Sequence, residues 1–200
     1  MILKQKIPCI TAIAALVFLA CSSVTVAVTP ANIFSDHMVL QRDAAVPIWG
    51  KAGVGASVTV AFAGQAVKTK TDKEGHWKLK LEPMKASAEG RSLEISSDDE
   101  RVMIKDVLVG DVWFAGGQSN MDYKVNGMAR RLAEGKKLAD SANYPAIRHR
   151  KVNERNAATP QSDLNGGAWV VCSPQTVQGF SGVAFVFARR LHLELNIPIG

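Results

Sequence analysis

The sequence predicts a multidomain protein of class β plus α/β: a β-sandwich over residues 28–105, then, over 106–200, the first part of an α/β layer on a parallel sheet. Three observations carry this. Short alternating apolar runs separated by turn residues fill the first half. A nearly continuous apolar run, Val107 to Ala115, then breaks the pattern. Beyond it, strand-like and helix-like segments alternate, as parallel sheets require.

The β module reads from Val46-Pro-Ile-Trp-Gly, Ser57-Val-Thr-Val-Ala-Phe, Ala66-Val-Lys-Thr-Lys-Thr and His76-Trp-Lys-Leu-Lys-Leu. The turns between them are Lys51-Ala-Gly-Val-Gly, Ala63-Gly64, Asp72-Lys-Glu-Gly75 and Glu89-Gly90. No helical period survives across these breaks, so the segment reads as a small sandwich. In it, Trp49 and Trp77 are expected in the core, with a sugar-stacking role as the rival.

In the second half, Val107–Ala115 is expected to be a strand buried on both faces. A Gly-Gly turn follows, then a helix over Met128–Ala142 rich in Ala, Leu, Lys and Arg. Ala146–Val152 reads as another strand. A polar loop with Pro160 and Gly166-Gly167 leads to a helix over Gly182–Leu195. Val183, Phe187, Leu191 and Leu195 recur at i, i+4, i+8 and i+12 as its apolar stripe, which Ala184, Ala188 and Leu193 widen. Ile197-Pro-Ile-Gly200 reads as the opening of a further strand. So short a parallel sheet leaves that stripe little to pack against, so 106–200 is expected to be an incomplete domain.

The N-terminus has its own character. Lys4 and Lys6 precede an apolar run from Ile7 to Ala20, and no acidic residue appears before Asp36. This describes a secretory signal peptide over 1–27, and the run is too short for a comfortable membrane span. Cleavage is expected after Thr25-Val26-Ala27; the alternative is a lipoprotein box, Phe18-Leu19-Ala20-Cys21, with membrane attachment only if Cys21 is lipidated. The destination is secreted or periplasmic. Of 3 cysteines, Cys9 and Cys21 lie in or beside the leader, so Cys172 has no partner for an internal disulfide. With 47% hydrophobic and 21% charged residues, the chain is globular rather than disordered. Its net charge of +6 is scattered, apart from clusters such as Arg148, Arg150 and Lys151, too thinly for a nucleic-acid partner. No Cys/His cluster implies a metal.

Gly116-Gly117-Gln118-Ser119-Asn120-Met121 follows the apolar run directly. A serine in a tight turn at the carboxyl end of a strand stands where α/β folds place reactive groups. The glycines permit a sharp turn and close approach of substrate. Nearby backbone N–H groups could stabilise an oxyanion, and Asp122 would complement the start of a following helix. Met121 occupies the second-glycine position of the α/β-hydrolase elbow, so the turn is not that motif. The residues alone leave two readings open, a turn serine and a nucleophile.

Asp111-Val-Trp-Phe-Ala-Gly-Gly-Gln-Ser-Asn-Met resembles the nucleophile block of the sialate O-acetylesterase family of SGNH hydrolases. Asn32-Ile-Phe-Ser-Asp-His-Met-Val-Leu-Gln-Arg resembles the opening of that family's β domain. Ala168-Trp-Val-Val-Cys-Ser-Pro-Gln-Thr-Val and Gly179-Phe-Ser-Gly-Val-Ala-Phe-Val-Phe-Ala-Arg-Arg-Leu-His resemble the approach to its second block. The resemblance implies a three-layer SGNH domain and a serine esterase acting on O-acetylated sialic acid or related acetylated sugars, without metal or organic cofactor. It makes Ser119 the nucleophile, its own N–H an oxyanion donor, and Gln118 and Asn120 turn-shaping or substrate-contacting residues.

The family's base comes from a late Asp-x-x-His, and this sequence has none. Its further oxyanion donors, a Gly and an Asn, also lack counterparts. The 4 histidines, His37, His76, His149 and His192, are poor substitutes, and a serine without a base is a weak nucleophile. The chain therefore reads as an N-terminal fragment with little activity of its own. The rivals are a non-catalytic carbohydrate-binding β-sandwich and a pseudoenzyme, and the alternative substrate is an acetylated plant polysaccharide.

Overall fold

The computed structural model describes residues 26–98, 100–153 and 156–200. The proposed leader, with Cys21, falls almost wholly outside the described residues.

Eight strands make up the first half: β1 (Thr29–Pro30), β2 (Val39–Gln41), β3 (Val46–Lys51), β4 (Ser57–Phe62), β5 (Gln65–Lys70), β6 (His76–Leu81), β7 (Ser87–Ser97) and β8 (Glu100–Gly110). They form a three-stranded sheet, β1-β3-β6, and a five-stranded mixed sheet, β2-β8-β7-β4-β5. Only the β2–β8 pair in the larger sheet is parallel. Alternation decides what each strand buries. Val58, Val60 and Phe62 of β4 and Trp77, Leu79 and Leu81 of β6 point inward, while the residues between them face outward. The inward residues of both sheets merge into one apolar cluster with Ile48, Leu93, Ile95 and Val107. Trp77 is a core residue as expected, and Trp49 packs partly buried on the same cluster, edge-on to Phe34 at 4.7 Å.

Glu89-Gly90 is not a turn. It lies inside β7, where the register shifts between Ser87 and Leu93. A β-carbon on Gly90 would collide with the Asp106 carboxylate, so the glycine serves a close approach within a bulged strand.

The apolar run Val107–Ala115 is also corrected. Val107, Leu108 and Val109 are buried, but Val112, Trp113 and Phe114 are 37%, 52% and 91% exposed. The run serves two ladders. Through Gly110 it is an interior strand of the five-stranded sheet. From Asp111 onward it pairs in parallel with the last residues of the chain: Asp111 N–H donates to Pro198 O at 3.0 Å, and Trp113 N–H to Gly200 O at 2.9 Å. On the other side, Ile199 pairs in parallel with Ile147 of β9 (Tyr144–His149). Strand β10 (Val170–Cys172) then runs antiparallel to β9.

Four helices flank this second ladder: α1 (Ser119–Asp122), α2 (Val125–Arg131), α3 (Ala133–Asp140) and α4 (Gly182–Leu195). The single helix expected over Met128–Ala142 is two, because Leu132 leaves helical geometry at φ −130°, ψ 127°. Helix α4 has the expected limits. The Ser181 hydroxyl caps it, accepting from Ala184 N–H at 3.3 Å, and Asn196 closes it in the left-handed conformation. Its apolar stripe has little against it, as expected. Phe185 and Gly182 are buried, whereas Val183, Phe187 and Leu195 are exposed. Phe185 joins Val125, Ala139, Ile147, Cys172, Val177 and Phe180 in a second apolar cluster.

The two clusters are tied by polar contacts and one tryptophan. Arg148 of β9 places Nη1 2.7 Å from Asp106 Oδ2, and His37 Nδ1 lies 2.6 Å from the same oxygen. Trp169 is buried in the first cluster and donates its indole N–H to Ile33 O at 2.8 Å.

Candidate active site

The path to Ser119 is clamped before the glycines begin. Arg42 grips Asp111 with two hydrogen bonds, Nε to Oδ1 at 2.7 Å and Nη2 to Oδ2 at 3.2 Å. Gln41 Oε1 accepts Val112 N–H at 2.9 Å. Together they fix the direction in which the chain leaves the five-stranded sheet. Gly116-Gly117-Gln118 then turns into α1, where Gln118 O accepts Met121 N–H at 2.9 Å and Asp122 N–H at 3.0 Å. Ser119 is the first residue of α1, so its amide is among those a helix leaves without an internal acceptor. Asp122 lies in the first turn of α1, the helix that opens at Ser119, as expected of an acid near a helix start. It ends α1 and pairs with Lys151 at 2.7 Å, which holds its carboxyl below the usual range.

A cleft of about 480 Å³ opens beside this turn. Trp113, Phe114, Gly116, Gly117, Met121 and Asp122 line it together with His149, Arg150, Lys151, Phe180, Ser181 and Phe187. Gln118, Ser119 and Asn120 are exposed and stand outside the lining, while their sequence neighbours Gly117 and Met121 lie within it. The structure therefore sets the three motif residues at the border of the cleft, not in its wall.

No histidine is hydrogen-bonded to Ser119 among the described residues. His37 engages Asp106, His192 contacts Ile197 O at 2.8 Å, and His76 lies 3.8 Å from Asp72. His149 lies flat against Phe180, with ring centroids 4.2 Å apart. Burial, reinforced by Lys151, pushes its pKa down to about 4, so it is neutral at physiological pH. Burial raises the Cys172 thiol to about 11, which makes it an inert core group. Among the described residues no group of three metal-ligating side chains occurs.

Sequence reasoning missed the clamp and the basic side chains that line the cleft, Lys124, Arg148, Arg150 and Lys151. Gln41, Arg42 and Asp111 lie inside recognised segments, but only three-dimensional pairing shows their task. Arg150 was visible merely as one of several basic residues.

No protein-family model matches the chain. It is 30% identical over 187 residues to sialate O-acetylesterase of Rattus norvegicus and 31% identical over 190 residues to that of Homo sapiens, covering 85% of this chain in each case. Over most of its length the chain is similar to sialate O-acetylesterases. It spans about a third of the length of these curated relatives, 34% and 35%. Among solved structures it is similar to a carbohydrate acetylesterase from Xanthomonas citri, with a TM-score of 0.81 and 34% identity. That match covers 86% of this chain and 39% of the other. The similarity thus includes both the β-rich half and the segment carrying Ser119.

Proposed function

We propose that this chain supplies the nucleophile-bearing part of an acetylesterase for O-acetylated sialic acid or a related acetylated sugar, with Ser119 as the nucleophile. In this reading the first half is a β-sandwich and 106–200 the opening part of an SGNH-type α/β domain. The observation that carries it is the placement of Ser119 at the first position of a helix, in a glycine turn beside an aromatic-walled cleft.

Ser119 Oγ attacks the acetyl carbonyl and forms the Oγ–C bond as the hydroxyl proton leaves to a base. The tetrahedral oxyanion collapses, the sugar departs as its alcohol, and the acetyl-serine is then hydrolysed by water. The Ser119 N–H is suitably free to donate to the oxyanion. No base contacts Ser119 among the described residues, so these 200 residues turn over acetyl esters slowly at neutral pH. A signal peptide over 1–27 would deliver the protein to a secreted or periplasmic site. No described helix is long and apolar enough to cross a membrane.

The test is labelling with a serine-directed fluorophosphonate in mildly alkaline solution, where hydroxide replaces the base. Label on the peptide carrying Ser119, lost in Ser119→Ala, supports the reading. Equal labelling of Ser119→Ala sinks it and favours a non-catalytic sugar-binding protein. An acetylated plant polysaccharide is the competing substrate, with the same serine chemistry.

A further inference from the structure

We infer that Arg42, which lies in the β-rich half and does not reach the cleft, is a positioning residue for Ser119: through Asp111 it sets how fast the serine reacts, not how tightly a ligand binds. This rests on the acetylesterase reading and makes the first half of the chain a participant in the chemistry.

Arg42 directly follows β2, whose parallel pairing with β8 brings Gln41 opposite Gly110. Its N–H donates to Gly110 O at 2.8 Å, so the ladder carries it level with Asp111. The guanidinium engages both carboxylate oxygens of Asp111, a grip that fixes direction as well as distance. The main chain of Asp111 is held separately: its N–H donates to Pro198 O, and its C=O accepts Gly200 N–H at 2.9 Å. Val112 on Gln41 and Trp113 on Gly200 extend the hold by two residues. There the support stops. Phe114 to Gly117 make no main-chain hydrogen bond among the described residues. The next fixed points are Gln118 O, which accepts two amides of α1, and Asp122, paired with Lys151. The turn bearing Ser119 is a span held at its two ends, and two glycines within it add freedom rather than stiffness. Its position therefore follows the position of its ends. Misplacing a nucleophile by about 1 Å can cost about a hundredfold in rate. Affinity is far less sensitive here, because Gln41, Arg42 and Asp111 do not line the cleft. Trp113, which does line it, keeps Gly200 O and its edge-on contact with Phe187 at 5.1 Å when the clamp is loosened. The pair is also partly exposed, so its contribution to stability is small.

The test is the rate at which the 200-residue chain and its variants react with a fluorophosphonate in mildly alkaline solution, over a range of probe concentrations. Ser119 Oγ displaces fluoride from phosphorus, and its proton passes to hydroxide. Arg42→Gln is expected to lower the maximal rate about tenfold or more, with the half-saturating concentration within about twofold and the thermal midpoint nearly unchanged. Arg42→Lys keeps the charge without the fork and should recover part of the rate. Asp111→Asn should match Arg42→Gln, and the double variant should be no slower than either. Lys85→Ala, which breaks the neighbouring Lys85–Asp43 pair, should change nothing. A loss in Arg42→Gln that falls on half-saturation or on the thermal midpoint, with the maximal rate kept, overturns the inference. If Arg42→Gln does not fold, the near-isosteric Asp111→Asn decides by the same criteria, and failure of both to fold makes the pair structural and overturns it too. Absence of label on Ser119 in the unaltered chain sinks the acetylesterase reading and this inference with it. Normal labelling that Arg42→Gln leaves unchanged overturns this inference alone.

Discussion

At the scale of single residues, burial and pairing set two separate acid sensitivities. His149 is held neutral with its pKa near 4, against 6.5 for an ordinary histidine. The unfolded chain therefore binds a proton over that interval that the folded protein does not. Stability should be fully present above about pH 6.5 and fall as pH drops toward 4, by about 2–3 kcal/mol. Urea melts of His149→Phe across this range should show that slope removed, because phenylalanine keeps the stack on Phe180 without a titrating group. Asp106 behaves as a second sensor. Its carboxyl is held below the ordinary 3.8, chiefly by the hydrogen bond from Arg148. Its contribution is present above that value and lost only as pH falls through the lower folded one. Asp106→Asn leaves the Arg148 guanidinium, 5% exposed, without its counter-charge. A loss of about 2 kcal/mol in chemical denaturation at neutral pH is expected, discounted because Asp106 is itself partly exposed.

At the scale of elements, α4 shows what periodicity conveys and what it omits. Its limits were legible because the apolar spacing over Gly182–Leu195 is helical. That the stripe would lie largely uncovered was legible too, but the burial of Phe185 was not. Phe185 stands on the far side of the helix from the Val183–Leu195 stripe, and it alone among the large side chains of α4 is fully buried. Phe185→Ala should therefore cost about 3–5 kcal/mol, while Leu193→Gln, on a 53% exposed residue, should stay within about 0.5 kcal/mol. The Val107–Ala115 run carries a related lesson. The run reads as nearly continuously apolar, yet the ladder changes partner at Gly110. A β-carbon there would strike Pro198 O, so Gly110→Ala should separate the parallel pair and cost about 1–3 kcal/mol in thermal melts. Sequence spacing could not show this, because the partner lies almost ninety residues away.

At the scale of the whole molecule, two apolar clusters are joined by a small polar network and Trp169. Alternating strands in the first half and the strand–helix order in the second were legible because period and turn chemistry are local. The candidate site was legible only as a motif. The sequence placed Ser119, Gln118 and Asn120 in a turn after a strand, and the fold puts that turn at the border of a cleft. The Arg42–Asp111 clamp that aims the turn depends on contacts between distant segments, which spacing does not encode. The central claim is that Ser119 accepts the acetyl group. Its most direct measurement is peptide mapping after the chain meets an activated acetyl ester in mildly alkaline solution, with hydroxylamine distinguishing labile serine esters from stable lysine amides. The account predicts one hydroxylamine-labile acetyl on the peptide carrying Ser119, absent from Ser119→Ala. A labile acetyl on another residue, with Ser119 unmodified, would contradict it.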